Sequence, residues 1–222
     1  MDSSAIIVAG GSGTRMGAPV PKQFLLLAGK PLLFHTLAAF RRARPEMHIV
    51  LVLPPEQLDA WTALCRQYGL HMDHSVVPGG KERFHSVRAG LGQVAHDGLV
   101  AVHDGARPLV SGPLITSCLS AAEAHGTAIP VVPVGSSVRI VDGTVSKALD
   151  RGPLRIVQTP QCFRVPLLRK AFELPYEPAF TDEATLVERT GAALHLVPGE
   201  ERNLKVTTPT DLRVAEALFV PA

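Results

Sequence analysis

The run Gly10-Gly11-Ser12-Gly13-Thr14-Arg15-Met16-Gly17 is followed closely by Pro21-Lys22. Glycines let backbone N–H groups close on an anion, and Arg15 and Lys22 add positive charge beside them. That combination suits a phosphate. Spacing excludes two familiar phosphate loops. The P-loop pattern places a glycine directly before its lysine, but here Pro21 precedes Lys22. The dinucleotide pattern G-x-G-x-x-G begins at Gly11 and Gly13 and then meets Met16 where the third glycine belongs. An ordinary glycine-rich turn is the plain alternative. The two basic residues just past the first apolar run favour the anion. A second group of chemical interest is Asp104, which ends the run GLVAVHD and stands three residues before Arg107.

Chemistry of this kind needs elements to position it. AIIVAGG (5–11) is a short apolar run ending in glycines, which predicts a buried strand and a tight loop. Pro31 precedes an apolar periodic stretch that ends in arginines, as a helix would. Further strands are predicted at 48–54, 74–80, 98–104, 127–134 and 193–199. Helices are predicted from 55 to about 68, at 82–94, from 113 to about 124, at 182–190 and at 208–219, the last capped by Thr208 or Thr210. Alternating strands and helices predict an α/β fold, a Rossmann-like three-layer α/β/α sandwich with a mostly parallel sheet. Ligands in such sheets bind at the carboxyl ends of the strands. The unusual loops after Ala9, Val77 and Val102 all fall there. One segment breaks the rhythm: residues 137–152 alternate apolar and polar side chains around Asp142-Gly143, which predicts an inserted β-hairpin arm at about 136–153. Two strands are too few to be stable alone, so the arm must pack on its own domain or on another subunit.

Composition narrows the classes. Of the 222 residues, 46% are hydrophobic and 19% charged, a globular balance, and the length suits a single domain over 1–222. The net charge of +2 argues against nucleic acid held by bulk charge, so any anion site must be local. Cys65, Cys118 and Cys162 are too far apart for a disulfide framework or a zinc site and read as packing residues. No apolar run reaches the ~18 residues that would cross a membrane. The N-terminus lacks the basic segment of a secretion signal, so a cytoplasmic location is expected.

The opening VAGGSGTRMGAPVPKQFLLLAGKPLL resembles nucleotidyltransferases that couple a nucleoside triphosphate to a phosphorylated sugar or polyol. Its Gln23-Phe24-Leu25 extension is similar to the 2-C-methyl-D-erythritol 4-phosphate cytidylyltransferases of isoprenoid biosynthesis. Further blocks match that family in order: 79–91, VHDGARP (102–108), 150–163, TDEATLVE (181–188) and NLKVTTPTDL (203–212). The resemblance covers nearly the whole chain.

It implies attack by a substrate phosphate oxygen on the α-phosphorus of CTP, with pyrophosphate leaving. The nucleophile is already anionic, so the task is to gather polyanions and stabilise charge. By resemblance, Arg15 and Lys22 stabilise the transition state. The backbone of Ala9, Gly10, Gly11, Ser12 and Gly13 holds the nucleotide. Gly79, Gly80 and Ser86 bind its cytidine part, unless Ser86 merely starts a helix. Asp104 is assigned to the metal and substrate region. A carboxylate amid phosphates calls for an intervening cation, so Mg²⁺ is the expected cofactor. An ion pair with Arg107 is the competing role for Asp104. Arg107 contacts the polyol phosphate. Lys205 positions the phosphate, its alternative being a solvated surface lysine. Arg151 binds the phosphate from the arm, which in the family crosses to the other subunit, so a homodimer is expected. Ser137 stands where the family usually has a threonine, and both carry a hydroxyl. His103 reads as a packed neighbour, Asp182 and Glu183 as helix caps, and Asp211 as a helix-start residue. The loop from Gly10 to Lys22 is expected to close on nucleotide, because its two cations repel each other until a phosphate arrives.

Three other readings stand beside this one, and the first of them the sequence separates poorly. A cytidylyltransferase for another polyol phosphate, such as D-ribitol 5-phosphate, would share nearly every block. An NAD-dependent oxidoreductase is disfavoured by Met16 and by the absence of an acid ending the second strand, where Leu53-Pro54-Pro55 stands. A noncatalytic nucleotide-binding module is disfavoured if Arg15, Lys22, Asp104 and Lys205 meet at one mouth.

Overall fold

The computed structural model describes residues 1–11 and 20–219. In chain order its elements are β1 (Ser3–Val8), β2 (Leu26–Leu27), β3 (Lys30–Pro31), α1 (Leu32–Ala43), β4 (His48–Leu53), α2 (Leu58–Gln67), β5 (Ser75–Pro78), α3 (Arg83–Leu91), β6 (Leu99–Asp104), α4 (Gly112–His125), β7 (Thr127–Pro133), β8 (Val138–Asp142), β9 (Val145–Leu149), β10 (Arg155–Val157), β11 (Gln161–Arg164), α5 (Val165–Ala171), α6 (Glu183–Glu188), β12 (Leu196–Pro198) and α7 (Pro209–Leu218).

Eight of these strands form one sheet in the order β10-β7-β11-β6-β1-β4-β5, with β12 paired to β7. β1 runs parallel to β4 and β6, and β4 runs parallel to β5. β11 lies antiparallel between β6 and β7. The sheet is therefore mixed, though its site-bearing half is parallel. Alternation along β1 sorts its side chains into two layers. Ala5 and Ile7 pack with Phe34, Phe40, Trp61 and Ile115 from α1, α2 and α4. Ile6 and Val8 pack with Phe84, Val87 and Leu168 from α3 and α5, and with Leu186 from α6. Both faces are covered, which is why the parallel strands are apolar without a break.

β8 and β9 pair only with each other, and Gly143 at their turn has φ +55°. The hairpin is thus formed as expected, and it leaves Ile140, Val141 and Val145 exposed. Two features were not foreseen. β10 and β11 enter the sheet antiparallel, and a small β2–β3 hairpin follows the first loop. Both are too short to leave a period in the sequence. Thr208 rather than Thr210 caps α7, in a reciprocal box with Asp211.

Register brings the loops together. Val8 pairs with both Val52 and Asp104, and Leu53 pairs with Pro78. Ala9-Gly10, Gly79-Gly80 and Asp104 therefore emerge at one edge of the sheet.

Candidate active site

Asp104 is the last residue of β6, and almost all of it is buried. A carboxylate out of water needs partners, and this one has three. Lys205 Nζ lies 3.0 Å from Oδ2, Arg107 Nε 3.3 Å from Oδ2, and Arg83 Nε 3.6 Å from Oδ1. Burial alone would raise its pKa, but Arg83, Lys205 and Arg107 together hold it well below the usual carboxylate range. Asp104 therefore stays ionised at neutral pH. The ion pair with Arg107 is one of the two roles open to this residue, and two further cations share it. Lys205 is at the surface, yet its amine is tied to the carboxylate rather than left to solvent alone.

Two cavities meet at Asp104. The larger, of about 290 Å³, is lined by Ala9, Gly10, Gly11, Lys22, Gly80 and Ser86, together with Arg83, Asp104 and Lys205. The smaller, of about 180 Å³, shares Arg83, Asp104 and Lys205 and adds Arg107, Thr159, Thr181 and Asp182. Both are lined by cations; the first adds glycine backbone from two loops, and the second adds Arg107 and two threonine hydroxyls.

The loop after β5 explains two glycines. A Cβ on Gly80 would stand 2.4 Å from His85 Cβ, and one on Gly79 would stand 2.8 Å from Ser86 Oγ. Gly79 itself lines neither cavity. Ser86 Oγ accepts from Gly80 N at 3.2 Å, so it braces this loop; the residue before α3 is Glu82, with no side-chain cap. Lys22 sits on a short 3₁₀ turn over Lys22–Phe24, where Gln23 and Phe24 are buried. Its Nζ donates to Val206 O at 3.3 Å, which brings the first loop and the NLKVT segment together.

Beneath the site, Asp104 N donates to Thr159 Oγ1 at 3.1 Å, and Thr159 Oγ1 lies 2.9 Å from His103 Nδ1. His103 is fully buried, and burial pulls its pKa down to about 3. It is the packed neutral neighbour expected. Its unfolded pKa is about 6.5. The stability gained from burying it neutral is complete above that pH and is lost as pH falls toward 3. Denaturant melts across this range should therefore show unfolding free energy declining with acid. His103→Gln should flatten the slope, and an equal slope in both proteins would remove His103 from the account.

Glu183 corrects one expectation. Asp182 alone caps α6, accepting from Thr185 N at 2.9 Å. Glu183 is buried and forms an ion pair with Arg83. Burial pushes its pKa up, and Arg83 opposes that push. Burial also works against the charge of Arg83, but Glu183 and Asp104 outweigh it. Arg83 is the main residue that sequence reasoning missed. It stands at the first turn of α3, where an arginine reads as solvated, and its partner is 100 positions away.

Of the expected site residues, the fold gathers Ala9, Gly10, Gly11, Lys22, Gly80, Ser86, Asp104, Arg107 and Lys205 around the two cavities. Ser12, Gly13 and Arg15 lie outside the described residues, as does most of the loop expected to close on nucleotide. Ser137 and Arg151 sit exposed on the arm and line neither cavity; Arg151 hydrogen-bonds Gly135 O instead. Among the described residues, no helix is long and apolar enough to cross a membrane. Cys118 and Cys162 are buried and Cys65 half-buried; all three are free thiols.

Comparison with known proteins agrees with this geometry. The family model described as 2-C-methyl-D-erythritol 4-phosphate cytidylyltransferase matches residues 3–220. A protein of that name from Bacteroides thetaiotaomicron is 47% identical over 219 residues, covering 99% of this chain and 100% of the relative. One from Porphyromonas gingivalis is 49% identical over 218 residues, covering 97% and 96%. The crystal structure of the Thermus thermophilus protein superposes with a TM-score of 0.78 at 35% identity, covering 98% of each chain. That of the Francisella tularensis protein gives 0.82 at 30% identity, covering 99% and 100%. A match over nearly the whole chain, on a fold that gathers the family's motif residues at one sheet edge, places this chain in the 2-C-methyl-D-erythritol 4-phosphate cytidylyltransferase family.

Proposed function

We propose that the chain transfers the cytidylyl group of CTP to 2-C-methyl-D-erythritol 4-phosphate, giving 4-diphosphocytidyl-2-C-methyl-D-erythritol and pyrophosphate. Membership of the family supports this reaction. The observation that carries the site assignment is the ionised Asp104 on the wall between two cavities, with Lys205 at 3.0 Å. The glycine-walled cavity takes the nucleotide, and the one beside Arg107 takes the polyol phosphate. Cations on the shared wall, Arg83 and Lys205, then lie where the attacking phosphate oxygen meets the α-phosphorus. Lys22, and by resemblance Arg15, offset charge as it builds on the phosphoryl group and passes to the leaving pyrophosphate. No general base is required, because the attacking phosphate is already an anion.

Asp104 is the residue that would hold Mg²⁺. Among the described residues no three acidic, histidine or cysteine side chains group as a metal site. Of the two Asp104 oxygens, Oδ2 is held by Lys205 and Arg107 while Oδ1 faces Arg83 at 3.6 Å, so Oδ1 is the donor that would meet Mg²⁺, which keeps several waters and takes its other ligands from substrate phosphates. When bound, the ion neutralises phosphate charge.

The direct test is pyrophosphate release from CTP with Mg²⁺, run in parallel on 2-C-methyl-D-erythritol 4-phosphate and D-ribitol 5-phosphate. Turnover with the first alone is expected; turnover with ribitol 5-phosphate instead would move the substrate but keep the chemistry.

The arm and its exposed Ile140, Val141 and Val145 support a homodimer in which Arg151 serves the partner's phosphate site. Arg151→Ala and Lys22→Ala, each nearly inactive alone, should recover activity when mixed, up to about a quarter of the parent in a random mixture. In a dimer carrying one copy of each, one of the two sites is intact. No recovery in a mixture shown to exchange subunits would place Arg151 in its own chain's site.

A further inference from the structure

Asn203 touches neither cavity, yet it is completely buried where the substrate-facing segments meet. Its Nδ2 donates to Thr159 O at 2.8 Å, and to Gln158 Oε1 at the longer distance of 3.4 Å. Thr159 O can only accept, so the amide orientation is fixed by chemistry. Its backbone carbonyl accepts from Arg107 Nη1 at 2.7 Å. Two of these neighbours lead to Asp104: Thr159 Oγ1 accepts from Asp104 N, and Arg107 Nε holds Oδ2. Two residues further on, Lys205 holds the same oxygen, and Val206 N ties the segment to Ala106 O at 2.8 Å. Among the described residues, Asn203 Oδ1 is buried with no hydrogen-bond partner. Such a group costs free energy, a cost that the bonds made by Nδ2 and by the backbone carbonyl must offset.

We infer that Asn203 is a positioning residue for the polyol phosphate: it locks the segment carrying Lys205 to the segment carrying Thr159 and so fixes the Arg107–Asp104–Lys205 constellation. This rests on the reading of the smaller cavity as the polyol phosphate site. Its effect falls chiefly on the polyol phosphate, because Arg107 and Thr159, which it touches, line the smaller cavity and not the larger, whereas Ala9 and Gly80 of the nucleotide cavity are held by contacts outside this segment.

The test is steady-state kinetics of Asn203→Asp and Asn203→Leu, with each substrate varied in turn and melting temperature recorded. Asn203→Asp keeps the shape and the backbone carbonyl but sets an acceptor against Thr159 O. The KM for 2-C-methyl-D-erythritol 4-phosphate should rise about tenfold to a hundredfold, the scale expected when a supporting contact lets a substrate group shift. The KM for CTP should stay within about twofold of the parent. A purely structural role would lower the active fraction, hence apparent kcat, and leave both KM values unchanged; that result in Asn203→Asp overturns the inference. If Asn203→Leu fails to fold, Asn203→Asp decides. Lys205→Ala serves as the reference. If it raises the polyol phosphate KM and the Asn203 variants do not, the inference alone fails. If it does not, the reading of the smaller cavity fails and the inference with it.

Discussion

Lys22→Ala is expected to lower kcat for cytidylyl transfer by about two to three orders of magnitude, the usual loss when one charge-stabilising donor is removed from a transition state. The fold should survive. The turn that carries Lys22 is anchored by buried Gln23 and Phe24, and Gln23 Nε2 donates to Ala9 O at 2.8 Å and to Gln57 Oε1 at 2.5 Å. The amine donates to Val206 O at 3.3 Å at the cavity wall. Lys22→Arg should not restore the rate, because a planar fork cannot occupy the place of a compact ammonium. Single-turnover pyrophosphate release beside a thermal melt checks both parts. A kcat within threefold of the parent, in folded protein, would take Lys22 out of the chemistry.

Asp104→Asn is expected to have an effect of similar size with a different signature. The substitution keeps the shape and removes the charge that Lys205, Arg107 and Arg83 share. kcat should fall by about 10²–10³, and the Mg²⁺ concentration for half-maximal rate should rise. Stability should fall by about 1–3 kcal/mol, the cost of leaving buried polar groups under-satisfied. That is less than the ~3–5 kcal/mol of an isolated buried ion pair, because two of the three cations keep other partners. Arg83 retains Glu183, and Arg107 retains Asn203 O. The stabilising effect of Asp104 is present above the unfolded pKa of about 3.9 and is lost as pH falls below it, so parent and variant melts should converge in acid. An unchanged Mg²⁺ dependence would restrict Asp104 to organising the three cations.

The parallel strands, the long helices and the hairpin were legible because each leaves a period or a turn signal. The apolar runs at 5–8 and 48–53 announce buried strands, and Asp142-Gly143 announces a tight turn. β10 and β11 were not legible. Three and four residues carry no alternation, and their place in the sheet is set by pairing with β7 and β6 across distant sequence. The site divides the same way. Lys22 and Asp104 stood out because basic and acidic residues beside glycine loops are unusual, and Lys205 stood out through the family resemblance of NLKVT. Arg83 and Glu183 each passed for an ordinary residue in the first turn of a helix.

By itself, the sequence determined which residues carry charge at strand ends, that the sheet is flanked on both faces, and that an arm interrupts it. Those properties are local: periodicity, glycine placement and side-chain type travel with the chain. Only the tertiary structure decided that Asp104 is shared by three cations, that Glu183 is paired with Arg83 and that Asn203 binds two segments together. Several of those contacts join positions about 100 apart, as in Arg83–Glu183 and Arg107–Asn203, and they exist only once burial has removed water and left each charge to the partner the fold places beside it.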